Sequence, residues 1–319
     1  MTASRSVLIT GAGGFVCGSI TRVLLERRWQ VTAVDRQFDE TTRQSLQAQW
    51  GDQIRFLVTD SNHLPDISVD SLVHGAAITA SPEELGQSAE DNFRSNIEPM
   101  LAVSEWANEH KVKRTLLISS SAVYAATDPG AVSETQPTSP SGLYAVAKQT
   151  TESLVNTLHD VYGRDVATIR LSNIYGPDEQ ARPTRPRISL VGQMVQQALQ
   201  TGKITVYQND PTRDWTFAPD IGAAVDSLLS QPVLHHSLYN VASEQILSPI
   251  DIAETIHAVM PNITVDVRSG TNPNVPKLTR LGYLSHQRLQ DETGFTGWTS
   301  FEKGLQQVIA ERTEKEMNL

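Results

Sequence analysis

The sequence predicts an α/β protein: a doubly wound parallel sheet followed by a smaller C-terminal lobe. Three observations point there. Short β-branched runs alternate with longer helical patterns through the first half, and strands that alternate with helices pair in parallel through right-handed crossovers. The strand runs are apolar without alternation, so both sheet faces are covered. A glycine cluster, Gly11, Gly13 and Gly14, separates the first strand from the first helix.

Taken in order, residues 6–10 read as a buried strand. Residues 14–28 carry Phe15, Ile20, Val23 and Leu24 at helical spacing. Strands follow at 31–34, 54–58 and 71–74, then a helix at 89–109, a strand at 115–119, a helix at 142–161 and a strand at 166–171. Beyond Leu171 the character changes. Pro177, Pro183 and Pro186 share a loop with Arg182, Arg185 and Arg187. Helices are expected near 189–200, 220–229, 249–260 and 301–312, and short strands near 204–207, 238–241 and 264–268. The predicted division is therefore 1–172 for the sheet, with segments near 205–240 returning to it, and 173–319 mainly for the second lobe.

Composition narrows the function. Of 319 residues, 39% are hydrophobic and 19% charged, the balance of a folded globular chain. The net charge of −10 repels phosphate backbones and counts against nucleic acid as a partner. Cys17, the one cysteine, forms no internal disulfide and supplies no cysteine-based zinc site; no metal site is expected. No apolar run reaches the roughly 18–20 residues of a membrane span, and a cytoplasmic location is expected.

The glycine cluster has a chemical reading. Glycine lets the backbone turn tightly and approach a pyrophosphate, which the free N–H groups and positive dipole end of the following helix then receive. Asp35 ends the next strand, where its carboxylate can accept hydrogen bonds from ribose hydroxyls and repel a 2′-phosphate. A Rossmann-type dinucleotide site that prefers NAD to NADP is expected, with Arg36 beside Asp35 as a further cofactor-binding candidate. Tyr144 and Lys148 lie four apart on a predicted helix and so share a face. A tyrosine titrates near pH 10 (about 10 in free peptides), and an ammonium nearby favours its phenolate. Such a pair can take a proton from a hydroxyl, with Ser120 at a strand end as hydroxyl donor.

Together these motifs resemble the extended short-chain dehydrogenase/reductases, the NAD-dependent epimerase/dehydratase family. Thr10-Gly11-Ala12-Gly13-Gly14-Phe15-Val16 is similar to the family's cofactor turn, although Cys17 stands where a third glycine is usual. His74-Gly75-Ala76-Ala77 resembles the fourth-strand motif along the pyrophosphate, and Asp60 sits where the family sets an acid against the adenine. Ser119-Ser120-Ser121-Ala122-Val123-Tyr124 resembles the catalytic serine strand. Arg170-Leu171-Ser172-Asn173-Ile174-Tyr175-Gly176-Pro177 resembles the turn over the nicotinamide. Arg213-Asp214-Trp215-Thr216-Phe217 resembles a late substrate motif.

The resemblance implies that Ser120, Tyr144 and Lys148 are catalytic, with Lys148 also lowering the tyrosine pKa. It implies cofactor contacts from Gly11, Gly13, Gly14, Phe15, Val16, Asp35, Asp60, Ala76, Tyr144, Lys148 and Ile174, and a structural role for Asn96. Ser121, Asn173, Arg182 and Arg213 are the candidate substrate contacts.

Departures from the family pattern bear on the substrate. Ser121-Ala122 replaces the Asp-Glu of the dehydratases, which counts against dehydration. Arg213 resembles one arginine of the diphosphate clamp in nucleotide-sugar epimerases, but residues 274–280, ending at Arg280, match the second poorly. An incomplete clamp loses charge-assisted binding. The preferred reading is an NAD-dependent oxidoreductase acting on a secondary alcohol or hemiacetal carbon of a sugar, sugar acid or similar polyol. The alternatives are a nucleotide-sugar (C4-type) epimerase with tightly bound NAD and a non-catalytic dinucleotide sensor. The presence of Ser120, Tyr144 and Lys148 argues against the sensor. Arg182, Arg185 and Arg187 read first as a solvated basic loop and second as a site for carboxylate or phosphate. A homodimer is expected through the helices that carry Asn96 and Tyr144.

Overall fold

Seven parallel strands build the main sheet of the structure, a computed structural model that describes residues 5–124, 130–272 and 282–317. The chain opens with β1 (Ser6–Thr10), α1 (Phe15–Glu26), β2 (Gln30–Asp35), α2 (Glu40–Trp50) and β3 (Ile54–Val58). It continues through β4 (Ser71–His74), α3 (Pro82–Leu85), α4 (Ala89–Glu109), β5 (Arg114–Ser120), β6 (Ala131–Val132), α5 (Leu143–Asp160) and β7 (Val166–Leu171). The later part holds β8 (Asn173–Tyr175), α6 (Leu190–Thr201), β9 (Lys203–Tyr207), β10 (Arg213–Phe217), α7 (Ala218–Leu229) and β11 (Leu238–Val241). Last come β12 (Ile246–Leu247), α8 (Pro249–Val259), β13 (Thr264–Arg268), β14 (Tyr283–Leu284), α9 (Gln287–Thr293) and α10 (Phe301–Met317). The six strands expected of the first half are all present, their ends shifted by at most one residue.

The sheet order is β11-β7-β5-β4-β1-β2-β3. From β1 the chain winds outward through β2 and β3, then crosses to β4 and winds the other way. The carboxyl ends of β1 and β4 therefore diverge at a switch point, where open α/β sheets bind ligands. Of the 205–240 stretch, Leu238–Val241 joins the sheet as an edge strand beside β7, whereas β9 pairs with β13 in the second lobe. There β8, β10 and β12 form a small sheet. A core that includes Val191, Val195, Ile204, Ile252, Ile256 and Leu305 holds α6, α8 and α10 together.

Helix α2 has no counterpart among the expected elements. Its sequence is polar, it buries only Leu46, and its start is fixed by Asp39, which accepts the Thr42 N–H at 2.8 Å. A helix with one apolar anchor leaves no 3.6-residue stripe to read. No helix among the described residues is long and apolar enough to cross a membrane.

The turn after β1 packs on the end of β4. Gly11 has φ +75°, and a Cβ there would sit 2.7 Å from the Ala76 nitrogen, so both torsion and space demand glycine. Opposite it, a Cβ on Gly75 would lie 2.2 Å from Cys17 Sγ and 2.8 Å from Ile118 Cδ1. The sulfur fills the room that a side chain at position 75 would take. This coupling is testable. Gly75→Ala should destabilise the protein by about 1–3 kcal/mol, the usual penalty of overpacking. The same change in a Cys17→Ala background should have a clearly smaller effect. Denaturant melts of the four proteins measure the coupling; additive effects would show that the two residues do not share the space.

Candidate active site

A cavity of about 400 Å³ opens at the switch point. The glycine turn forms one wall, and Ser120, Tyr144 and Lys148 line it together with Ile174. Helix α1 starts behind Gly14 with no side-chain cap, so its first-turn N–H groups keep their capacity for an anion. Phe15 and Val16, the first two residues of that turn, line the cavity. Asp35 braces the turn from β2: Oδ2 accepts the Gly13 N–H at 2.9 Å and Oδ1 the Gln37 N–H at 3.2 Å. A carboxylate has about four acceptor positions, so capacity remains for ribose hydroxyls. Ala76 meets the turn through its backbone, as the clearance at Gly11 shows. These features fit a dinucleotide. Five expected cofactor contacts are not among the residues that line the cavity: Gly13, Asp35 and Ala76 form or meet the glycine turn, Arg36 is exposed, and Asp60 pairs with His63 at 2.7 Å.

Helix α5 carries the candidate chemistry. Lys148 is buried; its Nζ donates to the Ile118 carbonyl at 2.7 Å and lies 5.6 Å from the centre of the Tyr144 ring. Burial pulls the ammonium down to about 8. Burial also pushes the Tyr144 phenol above its ordinary value, against the pull of a hydrogen bond with Ser120 and of the Arg185 guanidinium. The sequence analysis expects that pull from Lys148. In the structure Lys148 donates to the Ile118 carbonyl and stands 5.6 Å from the ring centre, and Arg185 is a second cation that bears on the phenol. Burial, with some help from Asp35, pushes the Cys17 thiol up to about 12, which suits a packing residue and not a reactive thiolate.

Deeper interactions fix the position of α5. Glu152 forms a two-pronged pair with Arg170 of β7, at 2.6 and 2.8 Å, and accepts the Ser119 hydroxyl of β5 at 2.5 Å. Asn96 of α4 clips the backbone of residue 78, accepting the Ile78 N–H at 2.9 Å and donating to its carbonyl at 3.2 Å. That is the structural role expected of it.

The proline-arginine loop is not a solvated excursion. It straps across the cavity, and Arg182, Arg185 and Arg187 all line it. The Thr184 carbonyl accepts the N–H groups of Thr79 and Ala80, at 2.9 and 3.2 Å. Arg187 pairs with Glu84 at 2.8 Å. Three candidate substrate residues are not brought to this cavity. Ser121 opens a 3-10 turn, Asn173 donates to the Asp214 carbonyl at 3.1 Å, and Arg213 stands at the start of β10 opposite Leu247. The Arg213 Nη2 is buried and has no partner among the described residues. Arg280, with residues 274–280, lies outside the described residues. Among the described residues no group of three or more His, Cys, Asp or Glu is placed to hold a metal ion.

Sequence reasoning left Thr79 and Glu84 out of the candidate site and took Arg185 and Arg187 only as a second reading, a site for carboxylate or phosphate. The arginines and prolines of the loop were the available signal; the contact of Thr184 with Thr79, 105 positions away, was not readable.

The geometry defines an NAD-dependent enzyme of the dehydrogenase and epimerase class. The chain belongs to the NAD dependent epimerase/dehydratase family, whose model matches residues 7–242. It is 26% identical over 265 residues to an uncharacterised UDP-glucose epimerase of Bacillus subtilis, covering 79% of this chain and 81% of that one. It is also 26% identical over 275 residues to a dTDP-4-dehydro-6-deoxy-D-allose reductase of Streptomyces bikiniensis, covering 81% and 82%. Among solved structures, a UDP-glucose-4-epimerase of Stenotrophomonas maltophila with bound NAD and formylated UDP-arabinopyranose superposes with a TM-score of 0.85. Identity there is 19%, over 99% of this chain and 100% of the other, a likeness of fold.

The position of Asp35 generates a prediction. Asp35→Ser removes both the brace on Gly13 and the charge that repels a 2′-phosphate. NAD should bind more weakly and the gap between NAD and NADP should narrow, as calorimetry with each dinucleotide would measure. Tighter binding of NADP than of NAD by the unaltered protein would contradict this account.

Proposed function

We propose that the protein transfers hydride between NAD and a secondary alcohol or hemiacetal carbon of a sugar, sugar acid or similar polyol. One observation supports this above others: Ser120, Tyr144 and Lys148 line the same cavity as the uncapped start of α1. Ser120 holds the substrate oxygen by a hydrogen bond. Tyr144 takes the hydroxyl proton, and Lys148 bonds the nicotinamide ribose and adds positive charge near the phenol. Gly11, Gly13, Gly14, Phe15 and Val16 hold the pyrophosphate, and Asp35 the adenosine ribose. NAD, when bound, supplies the hydride acceptor and a positive ring. Residues 1–172 are in this reading the cofactor-binding part, and the remainder mainly contributes to the substrate side.

A second reading is a nucleotide-sugar epimerase that keeps its NAD through the cycle. It is favoured by the buried, unpartnered Nη2 of Arg213, which suits a phosphate oxygen, and by the nucleotide sugars in the names of the relatives. The same reading of the family gives a cytoplasmic homodimer paired through α4 and α5, which leave Leu101 and Val146 exposed.

The two readings predict different behaviour of the cofactor. A dehydrogenase exchanges NAD every turnover, so NADH absorbance should accumulate with a sugar or sugar acid, while UDP- and dTDP-sugars pass unchanged. Purification with tightly held NAD, and interconversion of two nucleotide sugars without added cofactor, would install the epimerase in its place. In either case Tyr144→Phe should lower kcat by about 10²–10⁴-fold, the loss typical of a general base. The affinity for NAD should barely change. Because the base works deprotonated and burial raises its pKa, the unaltered enzyme should speed up as pH climbs. The residual rate of the variant should lack that rise. Near-normal turnover of Tyr144→Phe would move the base elsewhere.

A further inference from the structure

We propose that Arg185 receives an oxyanion carried by the substrate, and that the substrate is accordingly an acidic sugar whose carboxylate enters the same cavity as the reacting carbon. The inference rests on the hydride-transfer reading above and narrows its substrate class.

The charge distribution motivates it. The whole chain carries a net charge of −10, yet the cavity is lined by the cations Lys148, Arg182, Arg185 and Arg187 against a single carboxylate, Glu84. Glu84 is already paired with Arg187. The start of α1 offers its own N–H groups to the pyrophosphate, and the strap adds further positive charge to the same cavity. Like charges gathered over an active site in an otherwise acidic protein attract an anionic substrate.

The bonding of Arg185 assigns the receptor. Its Nη2 donates to Glu179 Oε1 at 2.5 Å, and that carboxylate is 1% exposed. Glu179 is fixed in turn by the N–H and hydroxyl of Ser189, at 2.8 and 2.6 Å. One edge of the guanidinium is thus anchored. Its Nη1 is buried and has no acceptor among the described residues. A buried guanidinium N–H with nothing to bond is a standing penalty that a ligand oxygen removes. The guanidinium lies 5.2 Å above the Phe15 ring, at the floor of the cofactor turn, and its charge reaches the Tyr144 phenol. Arg185 and Tyr144, the group that takes the proton, line the same cavity.

The strap also holds Arg185 ready. Arg182 and Arg185 exchange backbone hydrogen bonds at 2.9 Å in both directions, Pro183 and Pro186 stiffen the turn, and Thr184 ties it to residues 79 and 80. A donor held in place by its surroundings loses little freedom when a ligand arrives. A carboxylate meeting Nη1 end-on makes a charge-assisted bond, stronger than a neutral hydroxyl would.

The test uses the intact protein, with D-glucuronate, D-galacturonate and D-gluconate set against D-glucose and D-galactose. NADH formation gives KM and kcat. Calorimetric titration of each compound into the protein with NADH gives binding without turnover, and a separate titration gives NAD affinity. The unaltered protein should prefer the acids. Arg185→Gln should cut that preference by about 10- to 100-fold, mainly through KM, as loss of a hydrogen bond to a charged group does, and NAD affinity should stay within about threefold. Arg185→Lys should restore part of the preference. A fall in NAD affinity with the acid preference intact would make Arg185 a pyrophosphate anchor and overturn the proposal. So would equal losses for acids and neutral sugars, which would mean that Arg185 only supports the strap, and so would an unaltered protein that binds the acids no better than the neutral sugars. Acids that bind through Arg185 but reduce no NAD would uphold the proposal while sinking the hydride-transfer reading, so the two failures are distinct.

Discussion

The buried ion pair between Arg170 and Glu152 governs the geometry on which the site depends. Each side chain is 4% exposed, and the pair joins β7 to α5, with the Ser119 hydroxyl of β5 as a third member. Glu152 lies one turn beyond Lys148 and two beyond Tyr144, so the register of the helix against the strand that ends in Ser120 is set by this contact. The guanidinium stacks 4.5 Å over Tyr124, whose one hydroxyl proton is shared between the Ser133 carbonyl at 3.0 Å and Asn240 Oδ1 at 3.1 Å. Desolvating two charges is tolerable only when their remaining hydrogen-bond capacity is met, and here it is. Removing one partner would leave a charge in the core, at a penalty of about 3–5 kcal/mol. An apolar pair could support the sheet as well, but would not fix the helix at one rotation.

Charge in this molecule is sorted by depth. Around the cofactor turn, buried groups lean toward neutrality. His74 shares a proton with Thr10 at 2.7 Å and is pulled by burial to about 3, so it stays uncharged, and the Cys17 thiol keeps its proton. Lys148 keeps a lowered but usable basicity. The firm positive charges sit on the strap, on arginines that do not lose their protons. An ammonium whose proton is loosely held stands beside the chemistry, and permanent cations stand where an anion would be gripped.

Much of this was legible in the sequence. The strands of the large sheet could be read because burial on both faces leaves short apolar runs such as those of β1, β4 and β7. The glycine turn, Asp35, Ser120, Tyr144 and Lys148 could be placed because each sits at a strand end or on one helix face, where local spacing dictates direction. The small sheet was not visible: β8 and β10 are short, and β10 is nearly all buried, so neither shows alternation. Nor was the assignment of the arginines. Arg213 and the 182–187 loop look alike as basic residues after the sheet, and only the tertiary fold puts one in the β10–β12 pairing and the other over Phe15 at the cavity.

The contact between Cys17 and Gly75 makes the two positions a single packing unit. A side chain at 75 would meet the sulfur and Ile118 in the floor of the cofactor turn, whereas loss of the sulfur would leave only a small void between helix and strand. Tolerance is therefore lopsided: position 17 accepts a smaller residue, and position 75 accepts nothing beyond glycine while the sulfur is in place.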